Sequence, residues 1–201
     1  MLSHTLPAPG AHHDVVIVGA GAVGLSLAVT LAGRGKRVLV VEGGGERVDG
    51  DFTAHNSGVQ SGRKHLLGLE RGRYKGFGGT TRLWGGQLMP FSPAGFLPDP
   101  LMNKPGWLFD LAELEPHYDA TLALLGVEGG LSGMTRQWCE KTRRPLEFGP
   151  DLQLAPSIWM RQADLTVHFK QQISAAAGPW ILLHHEAIGI ALDTATGGST
   201  V

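Results

Sequence analysis

"DVVIVGAGAVGLSLAVTLAGRGKRVLVVE", residues 14–42, decides the fold of this 201-residue chain. It opens on DVVIVG (14–19), a short run rich in valine and isoleucine that suits a strand buried on both faces. The run ends in Gly19-Ala20-Gly21-Ala22-Val23-Gly24, and a helical stretch, Ala22 to Ala32, opens at once. Gly33 and Gly35 stop that helix, and KRVLVVE (36–42) forms a second strand finishing on an acid. Strand, glycine turn, helix and strand in this order predict a parallel βαβ unit that binds a dinucleotide.

Each piece has a mechanical reason. Gly19 permits the tight turn off the strand, Gly21 lets backbone approach a pyrophosphate, and Gly24 lets the helix pack closely. The helix N-terminus presents unpaired N–H groups and partial positive charge to the phosphates, with Ala20 inside the same turn. Glu42, at the end of the second strand, can accept both hydrogens of an adenosine ribose diol and repels a 2′-phosphate. These features alone leave NAD and FAD both open.

The next stretch narrows the choice. A nicotinamide-binding domain continues strand, helix, strand, but residues 43–76 carry neither helical period nor strand alternation. They read as a long excursion of the kind that lines a site. It returns at GFGGTTRLWGGQLMPF (76–91). There Gly78, Gly79, Thr80 and Thr81 set two hydroxyls beside two bare backbone positions, followed by Trp84 and Gly85. A second glycine turn suits a second contact along one extended ligand, and FAD is long enough to need two.

The pairing of the first stretch with GGTTRLWGGQ (78–87) resembles the glucose–methanol–choline (GMC) oxidoreductases, nearest their sugar and sugar-acid dehydrogenase branch. GWLFDLAELEPHYDATLALLGV (106–127) and PSIW (156–159) are similar to that branch as well. Tyr74, Phe77 and Trp84 depart from the first signature of the alcohol-oxidase branch. The resemblance implies an α/β, Rossmann-like FAD-binding fold with β-meander and loop insertions. It implies oxidation of a CH–OH group of an alcohol or sugar by hydride transfer to flavin. It also places a backbone group around Ala187 against the adenine. In the pyranose-oxidising relatives a histidine just before the turn's tryptophan tethers the flavin; here Leu83 stands there, so the expected FAD is non-covalent. Arg82, in the same turn, is read either as stabilising negative charge on reduced flavin or as a plain salt bridge.

Bulk composition excludes other classes. Seventeen basic against 18 acidic side chains give a net charge of −1, which offers no field for nucleic acid. A lone cysteine, Cys139, rules out an intrachain disulfide and a cysteine-rich zinc site. The pairs His12-His13 and His184-His185 lack the spacing that brings two ring nitrogens to one metal, so no metal site is expected. The apolar run Val15 to Ala32 is broken by Gly19, Gly21 and Gly24 and does not read as a membrane span. Residues 1–13 show no export signal and are expected to be a disordered tail on a cytoplasmic protein.

The remaining chain, 14–201, is expected to be one incomplete FAD-binding domain with an irregular insertion over about 91–160. Asp110 and Glu113 make a capping box, with a helix from Pro116 to Leu125 stopped by Gly126. Residues 128–156 read as loop. Asp164 caps a helix with Leu165, Phe169, Ile173 and Ala176 on one face, and 180–193 reads as a strand or bent pair before a turn at Gly197-Gly198. In the GMC family the catalytic base is a histidine near the end of a much longer chain. The sequence therefore reads as the N-terminal portion of such an enzyme, with no catalytic residue assigned and the electron acceptor open. A flavin-dependent hydroxylase or amine oxidase, or a non-catalytic flavin-binding remnant, are the competing readings.

Overall fold

The computed structural model of the chain describes residues 1–8, 10–47, 74–131, 133, 140, 157–192 and 199–200. The first elements are β1 (Leu2–Ser3), β2 (Val15–Val18), α1 (Ala22–Gly33) and β3 (Val38–Val41). Then come β4 (Gln87–Leu88), α2 (Leu111–Leu124), β5 (Ile158–Trp159), α3 (Leu165–His168) and α4 (Lys170–Ser174). β6 (Trp180–Leu182), β7 (Ala191–Leu192) and β8 (Ser199–Thr200) close the order. Two compact units emerge, 1–84 with 162–201, and 85–161.

The first unit is built on a four-stranded sheet in the order β1-β6-β3-β2, parallel throughout. β2, α1 and β3 form the βαβ unit, in register from Val15 opposite Val38 to Val18 opposite Val41. All four residues of β3 are buried, because strands flank it on both sides and α1 packs against it. Leu25, Ala28, Val29 and Ala32 are the buried stripe of α1, spaced as one helical face. Asp14 fixes the start of β2: its Oδ2 accepts from the Arg37 backbone N–H at 2.7 Å and its Oδ1 from Arg37 Nη2 at 2.8 Å. The Arg37 side-chain hydrogen bonds, backed by the backbone one, hold the Asp14 carboxyl well below the usual carboxylate range.

Two expectations about this sheet fail. β2 is not buried on both faces: Val16 is 36% and Val18 58% exposed. Exposure alternates along the strand: Ile17, toward α1, is buried, while Val16 and Val18 point to the face that the described residues leave uncovered, on a strand paired on one side only among those residues. The opening residues are not all a disordered tail either, since Leu2 pairs with Ile181 and Ser3 with Leu182. The ladder needs only backbone groups, Ile181 N–H donating to the Met1 carbonyl and Leu183 N–H to that of Ser3, both at 2.8 Å, so the polar residues that follow do not prevent it.

The helical stretch after Asp164 is two short helices separated at Phe169, not one reaching Ala176. Leu165, Phe169 and Ile173 nevertheless share a buried face. Asp164 caps as expected, its Oδ1 accepting from Thr166 N–H at 2.9 Å. Beyond β6 the chain bends at His184, a non-glycine residue with φ 59°, and the β7–β8 pair follows.

The second unit pairs β4 with β5 antiparallel and gathers Leu88, Leu131 and Ile158 around Leu122 and Val127. Its helix α2 starts at Leu111, not at Pro116, because Asp110 accepts from Glu113 N–H at 3.2 Å and nucleates the helix earlier. Pro116 consequently lies inside the helix. The chain leaves at Gly126, where φ is 76° and Val127 N–H returns to the Leu122 carbonyl. Residues 48–73, most of 128–156 and the turn at 197–198 lie outside the described residues.

Candidate cofactor site

The first glycine turn leaves β2 at Gly19, whose N–H donates to the Val41 carbonyl at 2.8 Å. Gly24 has no room for a side chain, since a Cβ there would overlap the Gly19 carbonyl oxygen. Gly21 caps α1 with no side-chain hydrogen bond, and the first turn of the helix holds no acidic residue. Among the described residues, a Cβ on Gly19 or Gly21 would meet nothing within 4 Å. The positive end of α1 therefore presents bare backbone that the described residues leave open at Gly19 and Gly21, and that arrangement fits a diphosphate.

The second glycine turn packs directly on the first. Gly78 N–H donates to the Ala20 carbonyl at 3.0 Å, and a Cβ on Gly79 would lie 3.3 Å from Gly21 Cα. GTTR folds as a 3₁₀ turn over Gly79–Arg82, entered through Gly78 at φ 92°. Thr81 is buried and spends its hydroxyl on the Gly78 carbonyl at 2.6 Å, which makes it a brace of the turn. Thr80 is exposed, and its carbonyl accepts from the N–H groups of Leu83 and Trp84. The Trp84 indole N–H donates to the Ala163 carbonyl at 2.8 Å, pinning the end of the turn to the segment before α3. For Arg82 the structure gives the salt bridge, Nε to Asp164 Oδ2 at 3.4 Å, with Nη1 donating to the Glu46 carbonyl.

Glu42 sits between the two turns. It is 7% exposed, and its carboxylate accepts three backbone N–H groups. Ala20 donates to Oε2 at 2.8 Å, while Gly44 and Gly76 donate to Oε1 at 2.8 and 3.1 Å. The segment leaving β6 runs alongside: His184 N–H donates to the Gly44 carbonyl and His185 N–H to that of Glu42, each at 3.0 Å. Glu186 pairs with Lys75 Nζ at 2.5 Å, so Ala187 follows a residue tied to the second turn. Gly19, Ala20, Gly21, Gly24, Glu42, Gly78, Gly79, Thr80, Thr81 and Trp84 thus belong to one neighbourhood, with Ala187 next to it. Gly85 opens the second unit, where a Cβ would lie 3.6 Å from the Trp159 indole nitrogen.

Sequence reasoning missed Gly44, Gly76, Lys75 and Thr166. A Cβ on Gly44 would overlap the Gly76 amide, and one on Gly78 would approach the Thr166 methyl at 2.5 Å. The signal for the first was present, because three consecutive glycines directly after a strand-ending acid leave room for another backbone. Thr166 carried no such signal. Among the described residues no group of three or more His, Cys, Asp or Glu side chains could hold a metal ion, and no helix is long and apolar enough to cross a membrane.

Residues 14–58 match the family described as FAD binding domain. No curated protein matches the chain. Six chains of solved structures match. One is pyridoxine 4-oxidase from Mesorbium loti, with a TM-score of 0.40 and 21% identity, over 86% of this chain and 42% of that chain. This chain thus spans less than half the length of that relative. The match falls on the glycine turn, α1, β3 and Glu42, the same residues that meet around the positive end of the helix. The chain carries an FAD-binding domain on an α/β, Rossmann-like scaffold.

Proposed function

We propose that this chain is the FAD-binding part of a GMC-type oxidoreductase that oxidises a CH–OH group of an alcohol or sugar. The observation that carries the reading is the contact of the two glycine turns, Gly78 N–H on the Ala20 carbonyl and Gly79 against Gly21. One extended cofactor can lie across both. Gly19, Gly21 and the first turn of α1 hold the diphosphate, and Gly24 keeps that helix close to the strand. Glu42 faces the adenosine ribose, and backbone around Ala187 faces the adenine. Gly78, Gly79 and Thr80 offer bare backbone and a hydroxyl nearer the flavin, on a turn braced by Thr81 and Trp84. FAD supplies the hydride acceptor when bound. Leu83, 56% exposed in that turn, has no nucleophilic atom, so the flavin is held without a covalent bond. No histidine of this chain is assigned as the base.

Purified chain incubated with FAD and passed through gel filtration should retain visible flavin absorbance, and acid precipitation should release all of it to the supernatant. Protein that elutes colourless at saturating FAD defeats the binding assignment. Colour that stays with the precipitate defeats the non-covalent one.

A further inference from the structure

We infer that Glu42 is a positioning residue whose carboxylate clasps the second glycine turn onto the first, independently of any ribose it meets. Its three donors come from separate places in the sequence: Ala20 in the first turn, Gly44 just after β3, and Gly76 at the entrance of the second turn. All are backbone N–H groups at a buried carboxylate, where an unsatisfied donor is costly. A carboxylate offers about four acceptor positions. Three are taken, so a ribose diol can gain one hydrogen bond here while the clasp stays closed, and a second only by displacing a backbone donor. The close packing of Gly44 on Gly76 is the steric counterpart, since a side chain on Gly44 would overlap the Gly76 backbone and push the second turn away. Lys75, on the same turn, lies over Gly43 and pairs with Glu186, so the turn is also held from its solvent side.

The chemistry sets distinct expectations for two substitutions. In Glu42→Gln one oxygen becomes an NH₂ group, which cannot accept, so either Ala20 or the Gly44–Gly76 pair loses its partner. In Glu42→Ala all three lose it.

Amide hydrogen exchange on the cofactor-free chain reads this directly. In Glu42→Gln at least one of the Ala20, Gly44 and Gly76 amides should exchange about tenfold faster or more, the scale of one lost buried hydrogen bond, while the amides of α1 keep their rates. Where Glu42→Ala fails to fold, Glu42→Gln alone decides. Unchanged exchange at all three amides in a folded Glu42→Gln chain overturns the clasp. A second arm, which rests on the FAD reading, compares FAD with FMN, a flavin that lacks the adenosine ribose. The clasp predicts that Glu42→Gln weakens both, because the second turn shifts. Loss of FAD binding alone, with FMN binding kept, assigns Glu42 to the ribose only and also overturns it. Absence of flavin binding in the unsubstituted chain defeats the FAD reading, while the exchange arm still decides the clasp.

Discussion

The N–H of Gly78 donates to the carbonyl of Ala20 across 3.0 Å, joining two glycine turns that lie 58 residues apart in sequence. Gly78 makes that bond with φ at 92°, and a Cβ there would run into the Thr166 methyl and the Arg82 side chain. Gly78→Ala should therefore lower stability by about 2–4 kcal/mol, the sum of left-handed strain and overpacking. Adding Thr166→Ser removes the nearest methyl and should restore part of that loss. Urea unfolding of the four-member cycle checks both, and full additivity would show that the methyl is not the obstacle.

Gly24→Ala should be at least as damaging, for a different reason. The added Cβ would meet the Gly19 carbonyl, a backbone atom that cannot rotate away. A loss of about 3 kcal/mol or more is expected, with α1 pushed off the strand and flavin retention reduced. Thermal melts and bound-flavin absorbance measure the two effects together. A stable, yellow Gly24→Ala chain would contradict the packing described.

The Asp14–Arg37 pair gives a pH signature. Because the Asp14 carboxyl titrates lower in the folded chain than in the unfolded one, the unfolded state binds more protons in acid. Its stabilisation is complete above the ordinary carboxylate value of about 4 and is lost as pH falls below it. Melting temperatures taken between about pH 5 and pH 3 should fall more steeply for the native chain than for Asp14→Asn. Parallel slopes would show that the pair contributes nothing.

Asp110→Ala removes the acceptor of the Glu113 N–H and should destabilise α2 by about 1 kcal/mol. Amides of the first turn of α2 should then exchange faster, while those of β3 and β6 stay unchanged.

How much of this was legible beforehand differs by element. The βαβ unit was readable because strand, turn and helix are each specified locally, by valine runs, glycines and a helical stripe. The start of α2 was misplaced because proline suggested a first turn, whereas the cap at Asp110 had already begun the helix. The ordered pairing of Leu2 and Ser3 was invisible, since two residues carry no period and their partners lie some 180 positions away. At the site, the glycine positions were readable but the wiring was not. Glu42 was expected to face a ribose, yet its contacts in the fold are backbone donors, and no spacing rule predicts which amides a buried carboxylate collects.

The unshared margin of β2 has a practical consequence. Val16 and Val18 stand partly uncovered beside backbone groups that pair with no strand on that side among the described residues. A margin of that kind templates cross-chain strand addition. Concentrated solutions of this chain should scatter light increasingly with time, and a charged replacement of Val18 should slow the clouding.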